Sequence, residues 1–439
     1  MSVTTAHGWR TKLPFFYGWV VVASTFVTMA LSWGVHYSFS VFYVALLEQF
    51  NWGRAATAGV FSTFVLFSSI TGVGAGVLVD RFGPTRIVPA GGLLLAVGLL
   101  ATSQLSELWQ FYLCFGVLCG SAMAISGWVP GVALVSRWFQ RKRGLAIGVA
   151  SAGVGLGTVL MVPLSQYLIS GFGWQWAYLA LAGIILLGIA PQSTVFQVGR
   201  PEELGLKPDG VQQVSEASKR APGRRLVVVD QAWASHPWTL GSAITTSRFW
   251  LLTLSLILSA FTNQMLWAHQ AAFLVDAGYE KMLAASTVGM AGLVSIALKI
   301  LWGEAGDRIG RERTFTLGAG CVLLSILLLM LTARVHTVWL VILFAAAFGT
   351  GYAVNPPLLS AAAADIFAGK NFGAIYGAVW LGQGIGGAVG AWAAGSLFDS
   401  TGSYTAALLA AALSTIAGVL CMWLAAPRQV RRMAKSTEC

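Results

Sequence analysis

The sequence predicts an all-α integral membrane protein: twelve transmembrane helices in two pseudo-symmetric bundles of six. Three observations predict it. Of the 439 residues, 56% are hydrophobic and 10% charged, and mean hydropathy is +0.73, a balance outside the range of soluble globular chains. The chain falls into long intervals with no Asp, Glu, Lys or Arg, and one short charged sequence occurs in each half at corresponding places.

In chain order the uncharged intervals run 13–47, 55–79, 87–106, 108–136, 144–199, 249–275, 282–298, 314–333, 335–364, 371–398 and 400–427. The interval 144–199 breaks at GFGW (171–174), which gives twelve spans. Each is near or above the roughly 20 residues a helix needs to cross about 30 Å of hydrocarbon. Lipid cannot satisfy an open backbone, and these runs lack the two-residue alternation of a barrel, so helices are the expected form. The one long polar stretch separates six spans from six. It predicts an N-terminal bundle (1–196), a linker (197–247) and a C-terminal bundle (248–439). The linker holds GRPEELGLKPDG and SKRAPGRR, rich in Pro, Gly and charge, and ends in WTLGSAITTSRFW, a candidate surface helix before span 7.

An even number of spans puts both ends on one side of the membrane. Of the 27 Lys and Arg, 23 fall on that side, Arg54, Lys281 and Arg334 on the other, and Lys299 inside span 8. This asymmetry predicts a multi-pass protein of the cell membrane with both termini cytoplasmic. The net charge of +11 is then mostly a topology signal, because no basic water-facing domain with stacking aromatics is present to bind nucleic acid. The first apolar run is far longer than the core of a cleavable signal. Cys114, Cys119, Cys321 and Cys421 lie in spans and Cys439 is the last residue, a spacing that suggests neither disulfide framework nor metal site. No cofactor is expected.

The recurring sequence is GVLVDRFGPTR (76–86) after span 2 and GEAGDRIGRER (303–313) after span 8, with Asp80 and Asp307 separated by 227 residues. One copy would read as a solvated turn, but two in register point to a duplicated transporter with a site between repeats. On this pattern, G-x-x-x-D-R-x-G at Gly76, Asp80, Arg81, Gly83 and at Gly303, Asp307, Arg308, Gly310, the chain resembles the major facilitator superfamily over all but the linker. The resemblance implies that these loops lock and release a cytoplasmic gate, to which Glu304 is also assigned.

Further stretches narrow the branch. FFYGWVVVASTF opens span 1, SRWFQRKRGLAIGVASAGVGLGTVLMVPL follows span 4, and HQAAFLVDAGY, ADIFAGKNFGAIYG and GSLFDSTGSY come later. Together they resemble the monocarboxylate transporter and oxalate/formate antiporter branch. Span 4 lacks the arginine, and span 5 the Gly-Pro pair, that mark drug/proton antiporters. The Pro-Glu-Ser type motif of sugar porters is absent after span 6. Gly148, Gly153, Gly155 and Gly157 in span 5 suit close helix packing.

Lys299 is the charge within the spans. It lies four residues before Gly303, about 6 Å along a helix axis. One reading is that its stem covers apolar surface while the ammonium snorkels to the interface. The other is a pore-facing cation, since a charge near the bilayer centre costs about 2.5 to 3.5 kcal/mol and demands a reason. Ser295, Gly292, Ala291 and Val288, one to three turns back, form a small, bundle-facing stripe. The resemblance implies a substrate role, because relatives carry a carboxylate-binding arginine at this place. Lysine, however, is a point charge without the planar fork. Tyr37 stands where animal monocarboxylate transporters carry a span 1 lysine, Ser295 where they carry an aspartate, and Val379 where the oxalate carrier has a second lysine. One buried cation without a buried carboxylate balances one negative charge, which favours a monocarboxylate.

Polar stripes supply further candidates at helical spacing: Ser32, His36, Ser40 and Tyr43 in span 1, Asn263, Trp267 and Gln270 in span 7, Tyr376, Trp380 and Gln383 in span 11. Each stripe can equally be interhelical glue. The expected substrate-binding set is Lys299, Tyr37, His36, Asn263, Tyr376 and Gln383, with His269 a candidate proton site. An enzyme would need a cluster of nucleophile, base or metal ligands at one depth, and the spans offer no clearly buried acid and two scattered histidines. The expected function is secondary transport of a small organic anion by alternating access, as proton symport or exchange, with the lipid bilayer as its surroundings. Two alternatives stand beside it: export of a neutral or weakly charged metabolite with Lys299 structural, and a nontransporting membrane sensor.

Overall fold

The computed structural model describes residue 10 and residues 14–139, 143–210, 226–367 and 371–433. SKRAPGRR therefore lies outside the described residues, as does Cys439. The helices are α1 (Gly18–Phe50), α2 (Arg54–Phe82), α3 (Pro84–Thr102), α4 (Leu108–Phe111), α5 (Gly120–Ser126), α6 (Trp128–Trp138), α7 (Arg143–Phe172) and α8 (Trp174–Phe196) in the first half. After the linker come α9 (Gln231–Ser235), α10 (Leu240–Ala243), α11 (Ser247–Asp276), α12 (Lys281–Ile309), α13 (Arg311–Thr332), α14 (Val338–Tyr352), α15 (Asn355–Ile366), α16 (Phe372–Thr401) and α17 (Thr405–Ala425). Among the described residues eleven helices are long and apolar enough to cross a membrane. The 30-residue, glycine-rich α16 takes the remaining place in the order of twelve.

Two spans expected to be continuous are broken, and they occupy the fourth place of each half. Span 4 runs through α4, a π-helical stretch at Tyr112–Cys119, α5 and α6, with Gly127 at φ −90°, ψ −122° between the last two. Pro130 follows, and its missing N–H leaves the Ser126 carbonyl without a helical donor. Span 10 is α14 and α15. Pro356 and Pro357 at the start of α15 likewise offer no N–H to the carbonyls of Tyr352 and Ala353 one turn back. The side chain of Trp302 donates to the Thr350 carbonyl at this break, 2.8 Å away.

The chain divides into two compact units, Met1–Ser38 with Ile70–Ala221, and Phe39–Ser69 with Pro222–Cys439. In the first, α3 packs on α8 and α5, and α7 on α8. Gly157 of α7 faces the Ala30 carbonyl of α1, leaving no room for a side chain there. In the second, α11 packs on α16 and α17, α13 on α14, and α12 on α14. This unit also holds the C-terminal part of α1 and the N-terminal part of α2, within Phe39–Ser69.

The linker is more ordered than its composition suggests. A three-residue strand, β1 (Leu226–Val228), pairs antiparallel with β2 (Arg431–Met433). Beyond it Trp233 donates to the Ile366 carbonyl at 2.9 Å, and Trp238 packs edge-on against Phe367 at 5.3 Å between ring centroids. Arg248 lies over the Trp233 ring. Buried Trp238 and half-buried Trp233, with their N–H groups partnered, fix this segment to the end of α15 and to Asn371 before α16. Trp238→Ala is expected to speed limited proteolysis between residues 226 and 246 by about tenfold while leaving transport in place, as digestion of the purified protein would read out.

Candidate functional site

Lys299 sits in the second half of α12, half-buried. Its Nζ lies 5.6 Å from the centroid of the Tyr352 ring, the last residue of α14 before the break in span 10. Tyr352 meets Trp267 of α11 edge-on at 5.3 Å, and Trp267 meets Phe348 at 4.9 Å. Among the described residues no carboxylate lies within ion-pair distance of Lys299. Ser295, one turn back, turns its hydroxyl onto the Gly292 carbonyl of its own helix. The lysine is thus solvated by an aromatic face rather than neutralised, a cation–π arrangement that leaves its charge available to an anion. Tyr352 was missed from the sequence because it belongs to no polar stripe; the Pro-Pro pair four residues on is the signal that could have found it.

The other candidates are distributed. Asn263 is buried in a small cavity lined by Ser259, Thr262, Phe315, Val354, Asn355 and Thr415, and its Oδ1 has no hydrogen-bond partner among the described residues. Lys299 does not line that cavity. Tyr376 stacks between Phe372 and Trp380 beside the core that receives the linker. Gln383 is half-buried two turns further along α16. His36 and Tyr37 are buried in the first unit, with ring centroids 4.8 Å apart and Trp33 against both. His269 is buried with both ring nitrogens engaged: Nε2 lies 2.8 Å from the Ala391 carbonyl and Nδ1 3.0 Å from the Tyr404 hydroxyl.

The two charged repeats end their helices alike. Gly83 closes α2 at φ +79° and Gly310 closes α12 at φ +97°, values that favour glycine, and each starts the next helix at once. Gly76 and Asp80 lie in α2; the Asp80 side chain is outside the described part, while Arg81 lies over the Phe82 ring. Gly303, Asp307 and Arg308 lie in the last two turns of α12, where Arg308 pairs with Glu304. Asp307 pairs with Arg311 at 2.6 Å, and Arg311 reaches Asp365 of α15 at 3.0 Å. The sequence reading that no acid is clearly buried is therefore corrected. Asp365 and Glu312 are 8% and 3% exposed. Each has a partner: Arg311 meets the first, and the second accepts the Arg428 backbone N–H at 3.1 Å. Both stand at helix ends rather than at one catalytic depth.

A family model described as Major Facilitator Superfamily matches residues 22–333 and 252–438. The chain belongs to the major facilitator superfamily. It is 29% identical over 402 residues to monocarboxylate transporter 13 of Bos taurus, covering 92% of this chain and 88% of the relative. It is 25% identical over 427 residues to monocarboxylate transporter 12 of Mus musculus (96% and 87% covered), and 28% identical over 394 residues to monocarboxylate transporter 3 of Rattus norvegicus (88% and 75%). Among solved structures, a bacterial homolog to the human lysosomal transporter Spinster, in an inward-facing and occupied conformation, matches with a TM-score of 0.62. The identity is 15%, over 93% of this chain and 95% of that one. The likeness to that structure supports the fold alone. This facilitator is a multi-pass membrane transporter related to the monocarboxylate transporters, and its relatives are transporters, not enzymes.

Proposed function

We propose that this facilitator carries a small organic monocarboxylate across the cell membrane by alternating access. The bundles 1–196 and 248–439 act as its two moving parts, and both termini are cytoplasmic. One observation supports the substrate charge above the rest: Lys299 holds a positive charge inside span 8 with an aromatic face beside it and no described carboxylate to cancel it. A monoanion entering there gains a charge-assisted contact, and its organic part meets Tyr352 and Trp267. A dianion would leave one charge uncompensated. His36, Tyr37, Asn263, Tyr376 and Gln383 are the polar and aromatic groups assigned to the remainder of the site.

The test is a thermal-shift series with the purified protein and carboxylates graded in size and charge. Monocarboxylates at about 100 times their Kd are expected to stabilise by about 2.7 kcal/mol, with little response to dicarboxylates. A neutral ligand that stabilises the protein and its Lys299→Ala form equally would instead support the export of a neutral metabolite. Coupling is read separately: uptake into proteoliposomes is expected to rise with an inward proton gradient if a proton accompanies the anion. Uptake that ignores the gradient and responds to internal substrate identifies exchange.

A further inference from the structure

Two of the three cations predicted at the end of the molecule opposite the charged repeats, Arg54 and Lys281, are held in ion pairs. Lys281 at the start of α12 pairs with Glu48 of α1 at 2.7 Å. Arg54 is a hub. Its guanidinium grips Asp276, the last residue of α11, at 2.6 and 2.9 Å, and donates to the Tyr404 hydroxyl at 2.7 Å. It also lies 3.8 Å from the centroid of the Phe398 ring. The backbone N–H groups of Arg54 and Ala55 donate to the two carboxylate oxygens of Asp399, at 2.8 and 2.7 Å. The free N-terminus of α2 is therefore capped by a residue from the end of α16.

The chain of bonds runs inward from there. The Ala391 carbonyl can only accept, so His269 carries its proton on Nε2, and its Nδ1 accepts from Tyr404. The Tyr404 oxygen in turn accepts from Arg54. Every donor thus points the same way, from Arg54 through Tyr404 and His269 to Ala391, and the neutral imidazole is the form that completes it. Below, Ser62 of α2 donates to the Ala388 carbonyl at 2.6 Å. Gly395 of α16 faces the Arg54 backbone so closely that a Cβ there would lie 2.6 Å from its carbonyl atoms.

We propose that this network is a latch: it holds the segment Phe39–Ser69 onto α11, α16 and α17, and it must open for the transport pathway to open at that end. The inference rests on transport by alternating access but not on the identity of the substrate. The contacts of Glu48, Arg54, Ala55 and Ser62 join first-half residues to the second half of the chain, and all sit within one compact unit, so separating these elements breaks them together. His269 acts here as a neutral bridge.

The test uses full-length protein in lipid nanodiscs with its natural cysteines replaced and a reporter Ser62→Cys, whose rate of reaction with a small polar thiol reagent is measured. Arg54→Gln removes the hub, and Gly395→Val wedges α2 away without touching a charge. Both are expected to raise the rate by about five- to tenfold, the shift in open population given by losing roughly one ion pair's worth of coupling. Should Arg54→Gln fail to accumulate, Tyr404→Phe, which cuts the chain between Arg54 and His269, takes its place. Unchanged labelling in both the hub variant and the wedge overturns the latch. A rise in Gly395→Val alone overturns the role of the polar chain. Failure of the Lys299 prediction leaves this readout unaffected, because labelling is measured without substrate.

Discussion

Lys299→Ala is expected to abolish monocarboxylate uptake, with a loss of at least about 100-fold, while the melting temperature of the substrate-free protein stays level or rises. The first effect follows from removing a charge-assisted contact in a poorly solvated site, worth about 2 to 5 kcal/mol. The sign of the second separates this reading from a structural lysine. No described carboxylate pairs with the ammonium, so the folded protein bears its desolvation with only the Tyr352 face in return. Deleting the charge relieves that cost. A lysine that stabilised the fold would instead lower the melting temperature on removal and leave uptake largely intact. Lys299→Arg is expected to keep transport, because the guanidinium preserves the charge and adds a fork that suits a carboxylate. Uptake and thermal denaturation of the three proteins side by side decide the matter.

Asp365→Ala carries the largest expected loss of stability. Arg311 is 12% exposed and lies between Asp307 and Asp365, of which only Asp365 is comparably enclosed. Removing that carboxylate leaves a partly buried guanidinium with only the exposed Asp307 beside it, at a cost of up to about 3 to 5 kcal/mol. Asp307→Ala, at a side chain 47% exposed, is expected to cost about 1 kcal/mol or less by comparison. The double variant Arg311→Met with Asp365→Leu should recover most of the loss, since apolar residues of similar size carry no desolvation cost. Denaturation in detergent would give the ranking, and equal effects of the two aspartates would contradict it.

Most of the fold was legible because membrane crossing imposes one coarse rule, length without charge, that a chain cannot hide. The helix ends at Gly83 and Gly310 were likewise marked by glycine in repeated motifs. What could not be read were contacts between residues remote in sequence. Arg54 looked like one of three stray cations on the sparse side, and only the folded chain brings Asp276, Asp399 and Tyr404 around it. Asp365 sat in a quoted stretch without its partner, because pairing with Arg311 depends on α15 reaching the start of α13. Lys299 stood out since a single charge in an apolar run is a local anomaly. Its aromatic neighbour did not, because Tyr352 acquires its place from a break in span 10 rather than from periodicity.

Those breaks also set where the molecule can bend at little expense. Flexing an intact helix stretches a ladder of main-chain bonds, each worth about 1 kcal/mol net. At Ser126–Gly127 and at Tyr352–Val354 the rungs are already missing, since proline supplies no donor for the carbonyls of Ser126, Tyr352 and Ala353. Spans 4 and 10 therefore behave less as rods than as pairs of rods with a soft joint, and the joint in span 10 lies one side chain away from Lys299.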